Sequence, residues 1–173
     1  MYYTIYKANP SNSGCCASFR VSLIKNGREE WIPKLFVEFL PQKSWDDKSK
    51  TGTFDKEERK VVAFDINEAG EMLYSIEHNV PWSAFHKTQD GTTIIKFGFW
   101  NKKMSFGLPK EKGYWEGEKR NSAISFNSQG KSCSLPITSG ETVVLKLLLE
   151  SYIKQFITMA GKVLDKKFKK EEE

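Results

Sequence analysis

The sequence has few of the residues that build metal sites, disulfide frameworks and catalytic centres. Its three cysteines, Cys15, Cys16 and Cys133, are odd in number and none has CxxC spacing, so neither a disulfide framework nor a structural zinc site is expected. Its two histidines, His78 and His86, belong to no Cys/His or Ser/His/Asp grouping that spacing reveals. A Gly-rich phosphate loop is also missing. We therefore expect a non-catalytic protein without a metal or other cofactor, in a reducing compartment.

Long apolar runs are missing as well. No stretch reaches the roughly 18 apolar residues that a membrane-spanning helix needs. The first residues, MYYTIYKANPS, have neither the basic region nor the apolar region of a secretory signal. We expect a soluble protein that is not exported and has no membrane partner.

What the chain does contain is a sizeable apolar core and an excess of basic charge. Its 173 residues suit one compact domain, and 39% of them are hydrophobic and 13% aromatic. The formal net charge of +5 favours a polyanionic partner, such as a nucleic acid, and a basic protein that binds nothing acidic is the alternative.

In the first half of the sequence, apolar and polar residues alternate, and this pattern predicts strands. ASFRVSLI, from residue 17, is followed by a tight hairpin turn at Asn26-Gly27 and then by WIPKLFVEFLPQ, in which Leu35 and Val37 face one side and Phe36 the other. Residues 1–16 are interpreted as a flexible arm. The polar stretch that follows WIPKLFVEFLPQ is interpreted as a long loop whose second half could pair as an edge strand.

A strand-to-helix junction occurs twice. AFDINEAGEML, residues 63–73, and SLPITSGETVVL, residues 134–145, each end a strand at an Ile, place a capping residue next (Asn67 or Thr138) and continue with helical apolar spacing. The first helix is expected to use Ala69, Met72, Leu73 and Ile76 and to end near His78-Asn79. The second opens with a capping box, Thr138 and Glu141. Internal duplication explains the repetition, and chance likeness between such junctions is the alternative.

The second half also reads as several strands followed by a helix. WSAFHKT, TTIIKFGFW, SAISFNS and KSCSLPI predict strands, with turns at Asp90-Gly91 and Gln129-Gly130 and a basic, aromatic loop over residues 101–120. We therefore predict an α+β fold of two tandem ββββα units, with antiparallel sheets each covered on one face by a helix. Repeat one spans 17–79, repeat two spans 80–165, and 166–173 form a charged tail.

The second helix, expected over 138–168, is apolar on more than one side. One side would pack on its own sheet and the other on a partner subunit in a homo-oligomer, a dimer or tetramer. A helix buried inside one large core is the alternative. The residues assigned to the oligomer contact are Leu147, Tyr152, Phe156 and Met159.

Four motifs, in order, resemble the Whirly family of single-stranded-DNA-binding proteins. INEAGEML is similar to the family's Val-Thr-Glu-Val-Gly helix start, and LPIT is similar to the Pro-Ile-Thr that opens its second helix. KLFVEFLPQ resembles the apolar strand ending in Phe-Ala-Pro, and FDKEERKVVAFDI resembles the Tyr-Asp-Trp-Ser-Arg-Lys strand with an extra residue. The resemblance spans roughly residues 15 to 160.

The resemblance implies two ββββα units per chain, oligomers with central helices, and a fold related to the positive-cofactor transcriptional coactivators. The sequence departs from the family where SGCCASF replaces its Lys-Gly-Lys-Ala-Ala-Leu stretch and where the Trp of Tyr-Asp-Trp has no equivalent. Because no organelle transit peptide is evident, we expect a cytoplasmic protein of a bacterial cell or a phage-infected host.

A sequence-tolerant single-strand binder needs cations for phosphates and exposed rings on which bases stack. Both kinds of residue occur on the polar faces of the strands and in the flanking loops of both halves. Core packing of the rings and ordinary surface lysines are the alternatives. The candidate residues are Arg20, Lys25, Trp31, Lys34, Phe36, Lys43, Trp45, Lys96, Trp100, Lys102, Lys103, Tyr114, Trp115, Lys119 and Arg120.

The function that these features favour is sequence-tolerant binding of single-stranded DNA in replication, recombination or repair, or in transcription. An RNA-binding or annealing factor of the same fold is one alternative, because nothing in the sequence reads a 2′-hydroxyl. A protein-interaction module whose wide apolar helix is the binding surface is another.

Overall fold

The computed structural model describes the backbone of residues 1–27, 29–88, 91–106, 115–128 and 131–171. Side chains are described in the same ranges except at 88, 100–106, 115–121, 126, 128, 131–133 and 162–171. Within those residues the strands are β1 (Tyr2–Lys7), β2 (Cys15–Lys25), β3 (Trp31–Asp46), β4 (Thr51–Phe54), β5 (Lys60–Phe64), β6 (Trp82–Thr88), β7 (Gly91–Phe106), β8 (Trp115–Ser128) and β9 (Lys131–Ile137). The helices are α1 (Ile66–His78) and α2 (Ser139–Glu171).

The described strands form two antiparallel sheets, and each sheet is followed by a helix, as predicted. In the first sheet β1, β2 and β3 lie side by side, and β3 pairs with β5 through residues 35–39 and with β4 through residues 42–46. The second sheet has the order β6-β7-β8-β9. The two units therefore share one meander, β1-β2-β3-β5 and β6-β7-β8-β9, and β4 is an addition to the first.

One hydrophobic core joins the two units. Alternate residues of the strands, such as Phe19 and Leu35 in the first sheet and Ile95 and Ile124 in the second, are buried against the two helices. Helix α2 contacts β3 of the first sheet as well as β8 of its own, and it packs along α1. Each sheet thus has one face in the common core, which leaves the other face uncovered by the helices.

The first strand corrects the prediction of a flexible arm over residues 1–16. Residues 2–7 form β1, which pairs along its whole length with β2, and Ile5 is fully buried. The following connection is held by Gln42, whose side chain accepts a hydrogen bond from the Asn9 backbone and donates to the Asn9 carbonyl at 2.9 Å. Repeat one therefore begins at β1, which supplies the first of its strands.

Two expected loops are largely strand. β3 continues to Asp46 and returns as β4, so the first half of the polar stretch after residue 42 is a hairpin. In the second unit, β7 continues to Phe106 and β8 begins at Trp115, so the expected loop over 101–120 consists mostly of paired arms. In the β3–β4 hairpin, polar residues form strands because Lys43, Ser44 and Asp46 are exposed, so alternation of apolar residues is not required there.

The connection between β2 and β3 is wider than the predicted tight turn. The Asn26 backbone donates to the Glu30 carbonyl at 2.9 Å, and the positive φ of 61° belongs to Glu29. The Asn26 side chain accepts from the Glu30 backbone. At the predicted Asp90-Gly91 turn, Gly91 has a φ of 121°; Asp90 and the turn at Gln129-Gly130 lie outside the described residues.

The helix ends show one confirmed cap and one correction. Thr138 and Glu141 form the predicted capping box of α2. The cap of α1 is Asp65, two residues before the predicted Asn67, and it accepts a hydrogen bond from the Glu68 backbone at 2.8 Å. Helix α1 ends as predicted, with Asn79 in the left-handed region. Helix α2 extends through Glu171, so most of the expected tail is helical.

The two units meet around Phe64. Its ring packs against Trp82 at 5.5 Å and stacks on His86 at 5.9 Å. The Trp82 indole nitrogen donates to Glu71 of α1. His86 Nε2 lies 2.9 Å from Glu68 Oε1, at an angle that does not make a hydrogen bond. These contacts fix the start of the second sheet against the helix of the first unit.

The first strand is also tied to the last helix. Lys7 Nζ lies 2.7 Å and 2.9 Å from the two carboxylate oxygens of Glu141, the residue that completes the α2 capping box. Burial raises the pKa of Glu141, but hydrogen bonds from Lys7 and Thr138 outweigh it, so the pKa lies below its ordinary value of 4.5. The ion pair therefore stabilises the fold above that pH.

We expect Glu141→Gln to lower the free energy of unfolding by about 1 kcal/mol at neutral pH, because a partly exposed ion pair and a helix cap are both weakened. The folded pKa is depressed, so the contribution is present above 4.5 and is lost as the pH falls through the folded pKa. Denaturant unfolding at several pH values should show the two proteins converging in acid. Glu150→Gln, on the same helix, is the control. A difference that persisted undiminished in acid would contradict this account.

Candidate nucleic-acid interface

The face of the first sheet that points away from the helices, here called the first open face, carries both rings and charge. Strand register places Tyr2, Arg20, Phe36 and Ala63 in one row across β1, β2, β3 and β5. The next row contains Glu38, and Lys34 occupies the row on the other side of Phe36. These positions alternate with the buried ones, which is why an otherwise apolar sheet presents them to solvent.

Arg20 and Phe36 form the centre of this face. The Arg20 guanidinium carbon lies 5.5 Å from the centroid of the Phe36 ring, within the range of a cation–π contact. Arg20 is exposed and Phe36 is half-buried. A planar cation lying against a ring offers a base a surface to stack on and a charge for its phosphate, so the structure brings these two predicted residues together.

Strand β1 adds two rings that the sequence interpretation missed. Tyr2 and Tyr6 are 64% and 62% exposed on the first open face. Tyr6 packs against Phe54 of β4 at 5.7 Å, and the Tyr2 hydroxyl is 3.2 Å from that of Ser18. They were missed because residues 1–16 were taken for an arm. The alternation of Tyr2, Thr4 and Tyr6 with the buried Ile5 was the signal that could have revealed them.

The structure separates Lys25 and Trp31 from this group. They pair with each other at the ends of β2 and β3, in the same alternation as the buried Leu35, so they lie on the helix side of the sheet. Lys25 Nζ is 5.9 Å from the Trp31 ring centroid, and Trp31 is 54% exposed. Trp31 is thus a strand residue rather than the loop residue expected.

Lys43 and Trp45 lie in the extension of β3 that pairs with β4. Lys43 is exposed, whereas Trp45 is half-buried and donates from its indole nitrogen to Asp47 Oδ1 at 3.0 Å. Trp45 pairs with Gly52 across the hairpin. The predicted loop position is therefore wrong for Trp45, and its ring belongs to the projecting β3–β4 hairpin rather than to the Arg20–Phe36 centre.

One row of the uncovered face of the second sheet, here called the second open face, consists of three serines and one lysine. Ser83, Lys96, Ser125 and Ser134 lie opposite one another across β6, β7, β8 and β9. They border a groove of about 470 Å³ beside Gly98. Lys96 is exposed there, as predicted.

The remaining candidates are placed by backbone register alone. Trp100, Lys102 and Lys103 belong to β7, and Trp115, Lys119 and Arg120 belong to β8. In that register Lys102 lies opposite Lys119, and Asn101 lies opposite Arg120. The side chains of these residues, and all of Tyr114, lie outside the described residues. The same register places Lys103 opposite Glu118, so the two strands of this arm carry four basic and two acidic residues.

Helix α2 is apolar on two sides, as predicted, but Tyr152 is wrongly assigned to the partner side. Tyr152 is fully buried, and its hydroxyl donates to the Phe64 carbonyl at 3.5 Å. Phe156, which packs against Tyr152 at 6.4 Å, and Met159 are half-buried. Leu147 is 58% exposed, as a partner contact requires. Among the helix residues whose side chains the structure describes, the other large apolar ones that are exposed are Val143, Val144 and Ile157.

Metal-ligand clusters and membrane-spanning helices are both missing from the part of the chain that the structure describes. Among those residues, no group of three or more His, Cys, Asp or Glu side chains is arranged to hold a metal ion. No helix in the same ranges is both long enough and apolar enough to cross a membrane.

The chain has the Whirly fold. Over 96% of this chain and 94% of the other, it is similar to WHY3 from Arabidopsis thaliana, with 16% sequence identity and a TM-score of 0.55. WHY1 from Arabidopsis thaliana matches over 100% of this chain and 94% of its own, with 16% sequence identity and a TM-score of 0.55. The plant transcriptional regulator PBF-2 matches over 95% of this chain and 86% of its own, with 15% identity and a TM-score of 0.54. The resemblance read from the four motifs is thereby confirmed for the fold.

No protein-family model matches this chain, and no curated protein matches it. The likeness to WHY3, WHY1 and PBF-2 is one of architecture.

Proposed function

We propose that this protein binds single-stranded DNA without strict sequence preference, and that it acts in replication, recombination or repair. The observation that carries the proposal is the Arg20–Phe36 contact on a sheet face that the helices leave uncovered. Stacking on such a ring is worth about 1 to 3 kcal/mol per base and is available to every base. A duplex hides its base faces, so this surface favours unpaired strands.

Charge supports the same function. The two open faces carry Arg20, Lys34 and Lys96. The β7–β8 arms add further basic residues, among them Lys102 and Lys119 at opposite positions. The net charge is +5. The fold is also that of PBF-2, a plant transcriptional regulator, and the four motifs resemble those of a family of single-stranded-DNA-binding proteins.

We further propose that the functional unit is a homo-oligomer assembled through α2. Val143, Leu147 and Ile157 present exposed apolar side chains along one side of this helix, at 57%, 58% and 62% exposure. Leaving such residues in water is unfavourable, and a second copy of the chain would cover them. An oligomer would also place several open faces within reach of one strand.

The test is a titration of fluorescein-labelled single-stranded DNA, duplex DNA and RNA of equal length at two salt concentrations. We expect single-stranded DNA to bind more tightly than duplex, with a slope of log K against log salt of about −2 if three phosphates are contacted. RNA binding as tight as that of DNA would favour the RNA-binding alternative. An absence of binding to all three nucleic acids would reject the proposal.

A further inference from the structure

A carboxylate in the middle of the first open face needs an explanation if this face binds nucleic acid. Glu38 follows Phe36 by two residues on β3 and shares its face, roughly 7 Å further along the strand. Its side chain is 32% exposed. A negative charge at this position repels phosphates, so it weakens binding unless it contacts another part of the ligand.

A neighbouring cation attracts the Glu38 carboxylate without forming a hydrogen bond to its oxygen atoms. Arg59 Nη1 lies 3.9 Å from Glu38 Oε2, which is close enough for attraction but too long for a hydrogen bond. The residues opposite Glu38 in register are Ser18, whose hydroxyl is near those of Tyr2 and Thr4, and Val61. The carboxylate therefore remains able to accept hydrogen bonds from a ligand.

The ligand group at this position would be the edge of a base. A base stacked on Phe36 directs its hydrogen-bonding edge along the face, whereas its phosphate is drawn to Arg20. A carboxylate accepts hydrogen bonds from exocyclic amino groups, such as N4 of cytosine. It is repelled by the carbonyl oxygens O2 and O4 that flank the one N–H of thymine.

We infer that Glu38 is a specificity-determining residue that favours bases with an exocyclic amino group over thymine at the Phe36 stacking position. The inference rests on the proposed single-strand binding and adds a base preference to it. The preference is modest because a single hydrogen bond supplies it, so binding stays tolerant of sequence.

The test compares oligodeoxycytidine with oligodeoxythymidine of equal length, since the two pyrimidines have rings of the same size and differ at their edges. We expect the wild-type protein to bind the cytidine strand about 3- to 10-fold more tightly, the factor that one hydrogen bond contributes. In Glu38→Gln the ratio should fall to near unity, because an amide can bond to either base. Glu38→Ala should lose the preference as well, with a gain in thymidine affinity.

Arg59→Gln is the matched control, because it changes the same ion pair and leaves the carboxylate in place, and it should keep the preference. An exposed pair of this kind contributes little to stability, so all three variants should fold. Equal affinity of the wild-type protein for both strands, or a preference that survives in both Glu38 variants, would overturn the inference while single-strand binding stands. Failure to bind either strand would instead reject the proposed function, and this inference with it.

Discussion

Phe36→Ala is expected to bind single-stranded DNA about ten- to a hundredfold more weakly than the wild-type protein, the loss that follows from removing one stacked base. The ring also supports the guanidinium of Arg20 at 5.5 Å, so its removal leaves that cation less well positioned. The fold should be retained, because Phe36 lies on the open face and the neighbouring core positions Leu35 and Val37 are unchanged. Fluorescence anisotropy with a labelled oligonucleotide measures the affinity, and circular dichroism checks the fold.

Three comparisons make this result specific to stacking. Phe36→Tyr keeps an aromatic face and should restore most of the affinity, whereas Phe36→Leu keeps apolar volume without a π face and should not. Tyr74→Ala removes an aromatic ring that is 57% exposed on α1. This helix lies on the side of the sheets opposite the open faces, so the variant should bind normally. Wild-type affinity in Phe36→Ala would show that bases stack elsewhere.

Leu147→Glu is expected to convert the proposed oligomer to monomers and to weaken binding to long single strands by about a hundredfold. A carboxylate in an apolar contact is strongly unfavourable, and losing linked sites removes an avidity that commonly amounts to a factor of about 10² to 10⁴. Because Leu147 is exposed within one chain, the monomer should stay folded. Sedimentation velocity measures the assembly, and binding to short and long strands measures the avidity.

The matched control is Gln155→Glu, which places a carboxylate at an exposed position of the same helix, about 80° around the helix axis from Leu147. It should leave assembly and affinity unchanged. If Leu147→Glu sedimented as the wild-type protein does, α2 would not be the subunit contact. If the variant were monomeric but bound long strands normally, assembly would be unrelated to binding.

The sequence predicted the parts of the fold that local periodicity determines. Helical spacing identified Ala69, Met72 and Ile76 as the buried side of α1, and all three are buried. Alternation in WIPKLFVEFLPQ separated Leu35 from Phe36 correctly, so the centre of the open face could be predicted before its geometry was known. The capping box at Thr138 was readable because its two residues are close together in the chain.

What the sequence missed depends on contacts between distant residues. β1 reads as polar because its inward positions include Lys7, whose partner Glu141 lies 134 residues away. Tyr152 was assigned to the oligomer contact with Leu147, Phe156 and Met159, yet its hydroxyl bonds to Phe64 in another unit. Trp31 was expected in a flanking loop with the neighbouring lysines, whereas it begins β3 opposite Lys25 on the helix side of the sheet.

The most direct measurement for the central claim is photocrosslinking of the intact protein to a single-stranded oligonucleotide that carries bromodeoxyuridine, followed by mass spectrometry of the linked peptides. We predict linkage to the peptides of β1 and β3 that contain Tyr2 and Phe36, and its loss when unlabelled single strand is added in excess. Linkage confined to α1 or α2, with the β1 and β3 peptides unmodified, would contradict the account.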